Sequence, residues 1–327
     1  MAISSTLSAS QRQQFEAQGF LLVEDLLDPR DDLGPVLDEY ADVLESLAAR
    51  LQADGSVSDT FSGLPFVERL VALCEASGRA LPDAFDFSLP QNGVGPETPI
   101  QVGPAVFGLL TNPRLLDLVE EMIGPEIFSN PVQHIRMKLP QHVVPDGCTS
   151  GLITAVPWHQ DNGVVMPEAD AATILTVWLP LVDATVENGC LAVVPRSHTS
   201  ELQPHCPTPH GLQIPAEFVD QVHAQPVPMR AGSVLLMTQR TVHSSLENIT
   251  DNQVRISMDL RYQPIGQATG RPAFAPAGFV ARSHEHPDRV LNDPAVWAER
   301  WFALRNELAA QENPTFNRWS SDAPVCA

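Results

Sequence analysis

The chain has 327 residues, 43% hydrophobic and 18% charged, which suits a folded protein able to bury its own core and excludes a disordered one. Its 40 acidic against 19 basic side chains leave a formal charge of −21, a field that repels nucleic acid and anionic membrane surfaces. No apolar stretch is long enough to span a bilayer, and residues 1–10 lack the basic start and apolar centre of a secretory signal, so the expectation is a cytoplasmic protein without a nucleic-acid or membrane partner.

Ser8, with Gln11 three residues later, forms a capping box; Leu7 is placed as its hydrophobic staple, and Gly19 stops the helix. Phe20, Leu21, Leu22 and Val23 then make a short strand. Val36, Leu37, Tyr40, Val43, Leu44, Leu47 and Leu51 recur at helical spacing with charged residues between them. The pattern returns over 64–74 and over 113–124, where Pro113 enters the helix and Gly124 closes it. From about residue 131 the grammar changes to short runs rich in β-branched residues, at 132–137, 152–158, 172–179, 190–194, 233–237 and 254–262. Turn signals separate them, among them Ala231-Gly232 and Glu187-Asn188-Gly189, which reads as a hairpin. A last helix, about 294–310, places Val296, Trp297, Trp301, Leu304 and Leu308 on one face.

The fold class is therefore mostly β with flanking α-helices, a sandwich or barrel. A single domain over 1–327 is expected: a helical part to about 130, a β core over about 131–265 and a helical extension over 266–327. The five cysteines (Cys74, Cys148, Cys190, Cys206, Cys326) are scattered and odd in number, as expected of free thiols in a reducing compartment. The proline-rich stretches 82–103 and 197–228 read as lid and substrate walls.

Ten histidines need sorting. His142, His205, His210, His284 and His286 lie in loops and read as surface residues. His159 and Asp161 differ, because alternate side chains of an extended segment project to one side. An imidazole and a carboxylate placed together supply two of the three ligands of a 2-His-1-carboxylate iron site. A third ligand has to come from a distant strand, and His243 follows the apolar run 233–237. Arg255 then sits inside an alternating apolar strand, as the partner of a structural salt bridge, as a residue of the strand's solvent face, or as a bidentate clamp on a carboxylate ligand. Arg261 shares its parity and ranks second, being farther from His243.

These residues carry a family resemblance. The run from Thr176 to Leu191, with Glu187-Asn188-Gly189-Cys190-Leu191, and the turn Pro195-Arg196-Ser197-His198 resemble the phytanoyl-CoA dioxygenase (PhyH) family. So do Gln11 to Leu27 and the segment Ala231-Gly232-Ser233 leading to His243, Asn248 and Arg255. The resemblance implies a double-stranded β-helix (jelly-roll or cupin-like) core and an Fe(II)- and 2-oxoglutarate-dependent oxygenase using O2. It implies His159, Asp161 and His243 as iron ligands, with Arg255 and the Ser245 hydroxyl on the distal carboxylate of 2-oxoglutarate. Lys138, in the run that begins at Gln133, and Trp178 match positions that contact the co-substrate, and Gln133 is grouped with them. Halogenating relatives carry Gly or Ala in place of the carboxylate, so Asp161 points to hydroxylation, desaturation or cyclisation. The sequence departs from the family in one turn, where Arg196 stands in place of the more usual glycine. His198 of that turn is expected to be structural. The implied substrate is a small organic molecule, and the acidic chain favours a neutral or cationic metabolite over acyl-CoA. The alternatives are a metal-dependent hydrolase or a non-catalytic binding protein on the same barrel.

Overall fold

The computed structural model describes residues 7–91, 93–311, 316 and 318–326, so residues 1–6, read above for a signal, lie outside the described residues. The helices are α1 (Ala9–Gln18), α2 (Gly34–Ala53), α3 (Phe66–Ser77), α4 (Pro104–Leu110), α5 (Pro113–Ile123) and α6 (Pro294–Ala309). The strands are β1 (Phe20–Val23), β2 (Ile127–Ser129), β3 (His134–Lys138), β4 (Leu175–Pro180), β5 (Leu191–Val193), β6 (Cys206–Thr208), β7 (Gly211–Gln213), β8 (Gln225–Val227), β9 (Val234–Thr238), β10 (His243–Ser245), β11 (Arg255–Pro264) and β12 (Phe279–Arg282).

Local signals explain most boundaries. Both halves of the Ser8–Gln11 capping box form, and Gly19 ends α1 at φ +83°. Leu7 does not staple the helix: one turn on it would meet Arg12, and it buries in the main core instead. In α6, Trp297, Trp301, Leu304 and Leu308 are buried at spacings of four, three and four, while Val296 faces solvent. Adding Val296 to the buried face was an error of about one residue of helical phase.

Two antiparallel sheets face each other. The larger runs β1-β9-β4-β11-β2-β12, with β3 also on β11, and the smaller runs β10-β5-β8. The larger sheet thus recruits β1, β2 and β12 from outside residues 131–265. Its central strand β11 is buried on both faces yet alternates in character. Ile256, Met258, Leu260 and Tyr262 pack into the core shared with the helices, each aliphatic side chain contributing about 1.5–3 kcal/mol by burial. Arg255, Ser257, Asp259 and Arg261 fall on the opposite face, between the sheets. There Trp178, Leu235 and Met237 of the larger sheet meet Leu191, Val193 and Val227 of the smaller.

Several expectations change. Residues 152–158 form no strand. A turn occupies 151–154, and Pro157 has no N–H for a ladder. What remains is an extended segment fastened to β10, with Ser245 N–H donating to Val156 O (3.1 Å) and Val156 N–H donating to the Ser245 hydroxyl (2.8 Å). The Glu187-Asn188-Gly189 turn does not close a hairpin. It carries the chain from β4 in one sheet to β5 in the other, with Gly189 at φ +93° and Asn188 Oδ1 accepting from Thr185 N–H (2.8 Å). The stretch 82–103 is not a free lid, since Phe85, Phe87 and Leu89 are fully buried. The cysteines are not all free: Cys206 and Cys326 form a disulfide, while Cys74, Cys148 and Cys190 remain thiols. Sequence spacing gave no hint of this pair because it is closed by tertiary folding. Among the described residues, no helix is long and apolar enough to cross a membrane.

Candidate active site

A backbone bridge brings the two separated histidines together. His159 N–H donates to His243 O (2.9 Å) and His243 N–H to His159 O (3.0 Å), so the side chains are direct cross-strand neighbours. Their ring centroids lie 4.2 Å apart. Each Nδ1 is turned onto the carbonyl two residues earlier, Pro157 O for His159 and Thr241 O for His243, both at 2.9 Å. A carbonyl can only accept, so each ring carries a proton on Nδ1, which leaves Nε2 as the atom available to a metal. Asp161 opens a single 3-10 turn (Asp161–Val164) just beyond and turns its carboxylate towards them, 3.9 Å from His159 Nε2. The three ligand atoms lie within 4.8 Å of one another, and all three residues are buried.

Charge state and fixation suit a cation. Burial, followed by the neighbouring His243, holds the His159 imidazole well below its ordinary pKa and therefore neutral. Burial alone would raise the Asp161 carboxyl, but Arg261, the two imidazoles and the Thr176 hydroxyl outweigh it and hold the acid below the usual carboxylate range. Thr176 donates to Oδ2 and Arg261 to Oδ1. Two imidazole nitrogens and one oriented carboxylate are the donor set that Fe(II) takes.

The inner face of β11 supplies the rest. Pairing with β3 sets Arg255 opposite Lys138, and pairing with β4 sets Asp259 opposite Trp178 and Arg261 opposite Thr176. Arg255 is fully buried, and burial, aided by Arg136, pulls its pKa down to about 9. Its Nε donates to Gly189 O (3.2 Å) and its Nη1 to Ser257, while Nη2 has no partner among the described residues. The guanidinium stands 5.6 Å from the centre of the Trp178 ring. Arg255, Trp178 and Ser245 line the cavity at the triad. Lys138 Nζ donates to Ser245 Oγ (2.6 Å) and to Leu246 O. Burial, then Arg255 and Arg136, press the Lys138 pKa well down. Lys138 borders a second cavity of about 500 Å3, which shares Val156 with the first. Gln133 is buried with an unpartnered Oε1 but is not among the residues lining either cavity.

Some site residues escaped the sequence reading. The Thr176 hydroxyl on Asp161 and Arg136, which pairs with Asp259 (3.2 Å) at the cavity wall, were not singled out, while Arg261, ranked second for the clamp, is the cation on Asp161. His205 is not a surface residue: it is fully buried, its Nε2 accepts from Gln160 N–H (2.9 Å), and burial lowers its pKa to about 4. His142, His210, His284 and His286 are exposed as expected. His198 is structural, its Nε2 meeting Glu16 O at 3.0 Å and its ring packed over Gly19. Arg196 before it adopts φ +66°, which accounts for the glycine more usual there.

The family model for phytanoyl-CoA dioxygenase (PhyH) matches residues 15–257. The chain belongs to this family. The PhyH homologues are Fe(II)- and 2-oxoglutarate-dependent oxygenases with a double-stranded β-helix. The 1-deoxypentalenic acid 11-beta-hydroxylase of Streptomyces arenae is 30% identical over 178 residues, 51% of this chain and 60% of that protein. A probable phytanoyl-CoA dioxygenase of Caenorhabditis elegans is 23% identical over 257 residues, 76% of this chain and 72% of the relative. The match thus spans about three fifths of the Streptomyces hydroxylase. Among solved structures, the non-heme monooxygenase ThoJ superposes with a TM-score of 0.54 at 18% identity, covering 91% of this chain and 96% of that one. EvdO2 of Micromonospora carbonacea var. aurantiaca, solved with 2-oxoglutarate, gives 0.51 at 19% identity, covering 83% and 98%. Both share the PhyH fold seen here.

Proposed function

We propose that this PhyH protein is an Fe(II)- and 2-oxoglutarate-dependent oxygenase that hydroxylates, desaturates or cyclises a small metabolite. His159, Asp161 and His243 hold the iron, and the carrying observation is that their three ligand atoms lie within 4.8 Å of one another. Bound Fe(II) supplies oxidative decarboxylation of 2-oxoglutarate to succinate and CO2, coupled through O2 to oxidation of a substrate C–H bond.

The chain's own residues position the reactants. Arg255 takes the distal carboxylate of 2-oxoglutarate: its Nη2 is uncommitted, whereas Arg261 is spent on Asp161. The Ser245 oxygen already accepts from Lys138 and Val156, so its own proton is left to donate to the same carboxylate. Lys138 thereby acts through Ser245, and Trp178 walls the guanidinium. The cavity bordered by Thr154, Val156, His210 and Gln213 is the substrate's place. Its volume of about 500 Å3 suits a molecule of metabolite size, and 197–228 supplies part of its wall. The Streptomyces relative is named as a hydroxylase of a small acid, which agrees with a free metabolite as substrate. A hydrolytic metal site would leave Arg255 without a role.

The test is anaerobic addition of Fe(II) and then 2-oxoglutarate, watching for the weak charge-transfer band at roughly 500–530 nm expected of the chelate. The band is expected only with both present, and should be absent in His159→Ala and Asp161→Ala. Folded, iron-loaded protein without the band would remove 2-oxoglutarate from the reaction.

A further inference from the structure

The turn that carries Asp161 is a single turn of 3-10 helix, a geometry too short to hold itself. Two of its carbonyls, and that of Val165 just after it, are taken from outside by the C-terminal segment 318–326. Arg318 Nη2 donates to Asn162 O (2.9 Å), Arg318 Nε to Val165 O (2.7 Å) and Trp319 Nε1 to Gly163 O (2.6 Å). Arg318 Nη1 also pairs with Asp170 (2.8 Å). Beneath the turn lies His205, whose ring stacks on Trp319 with centroids 5.4 Å apart and planes at 27°. A Cβ on Gly163 would come within 2.1 Å of that ring, so the backbone there rests directly on the imidazole. The next residue, Cys206, is bonded to Cys326 near the end of the same segment.

We propose that Arg318 and Trp319 are positioning residues for the metal ligand Asp161, and that the Cys206–Cys326 bond fastens the strap carrying them. The strap lies beyond residues 15–257, the part matched by the family model. The inference rests on the metal-site reading given above. Its physical content is that donors fixed to three carbonyls restrict the φ and ψ angles immediately after Asp161. They thus set the direction of its carboxylate before any cation arrives. Outer partners of metal ligands typically affect metal affinity by about 10–100-fold.

The test is calorimetric titration of metal-free protein with Co(II), together with the thermal midpoint of the metal-free form. Arg318→Ala is expected to weaken Co(II) binding at least about tenfold. Arg318→Lys keeps the charge beside Asp170 but loses the fork to two carbonyls, and should weaken binding nearly as much. Cys326→Ser, which deletes no contact to the turn, should weaken it several-fold. Leu304→Ala, buried in α6, should lower the midpoint and leave Co(II) affinity unchanged, separating positioning from general stability. Should Arg318→Ala fail to fold, Arg318→Lys and Cys326→Ser carry the test. Affinities within twofold of wild type in the folded strap variants would overturn the strap while leaving the metal site standing. Absence of Co(II) binding by the wild-type protein would overturn the metal-site reading and the strap with it.

Discussion

Arg255 and Arg261 lie on one face of β11, and their partners set them apart. Arg261 is tied to Asp161, Val132 O and Asp259, whereas Arg255 keeps a buried Nη2 without a partner among the described residues. A charge-assisted hydrogen bond is worth about 1.5–3 kcal/mol, so Arg255→Gln is expected to raise the KM for 2-oxoglutarate roughly 10–100-fold. Co(II) affinity should hold, because Arg255 touches no metal ligand; a change in Co(II) affinity with an unchanged KM would reverse the assignment. At this scale much was legible. His159 and Asp161 stand two apart, and the resemblance supplied His243. The choice between the two arginines needed their partners, which come from residues 132, 161, 189 and 257, and parity along one strand says nothing of those. Thr176 was unreadable for the same reason, as its hydroxyl reaches Asp161 only through the β4–β11 register.

At the scale of elements, the Asp161 turn is coupled to acidity through His205. Its pKa of about 4 lies below the 6.5 of a free imidazole, so between those values the unfolded chain binds more protons than the folded one. Its contribution is therefore complete above pH 6.5 and is lost as the pH falls towards 4, on the order of 3 kcal/mol in all. His205→Gln cannot titrate, and the stability gap between it and wild type should narrow as pH falls from 7 to 4 in denaturant unfolding. A constant gap would mean that His205 is not held neutral in the fold. Sequence grammar handled elements unevenly. Helix ends with capping boxes, proline entries or glycine exits were read to within a few residues, because their signals are local. The segment 152–158 was misread as a strand because β-branched composition does not reveal that Pro157 and the Ser245 hydroxyl interrupt the ladder. His205 was read as a surface loop residue because the strap that buries it lies more than a hundred positions away.

Over the whole molecule, charge is sorted by depth. The chain carries −21, yet Arg136, Lys138, Arg255 and Arg261 lie together on the inner face of the larger sheet, the face on which the small dianion 2-oxoglutarate is proposed to bind. A bulky polyanion would have to cross the acidic exterior first. Free coenzyme A at millimolar concentration is therefore expected not to inhibit turnover at low salt; potent competition would show an anion-binding entrance and return acyl-CoA as a substrate. The sandwich itself was expected from composition and turn spacing. The order of its strands was not, because β1 lies on β9 and β12 on β2 across long stretches of intervening chain, pairings that only the packed core decides.

Cys206 and Cys326 stand 120 positions apart, so their bond closes that stretch into a covalent ring. His243, Arg255 and Arg261 belong to the ring, whereas His159 and Asp161 belong to the open chain before it. In the chain-entropy view, a ring of this size restricts the unfolded ensemble by about 4–5 kcal/mol, and that restriction falls on only half of the site. A single backbone cut anywhere inside the ring would leave one covalent molecule. With the cut placed between Cys206 and His243, the two parts carry one imidazole each and would separate only once the disulfide was reduced.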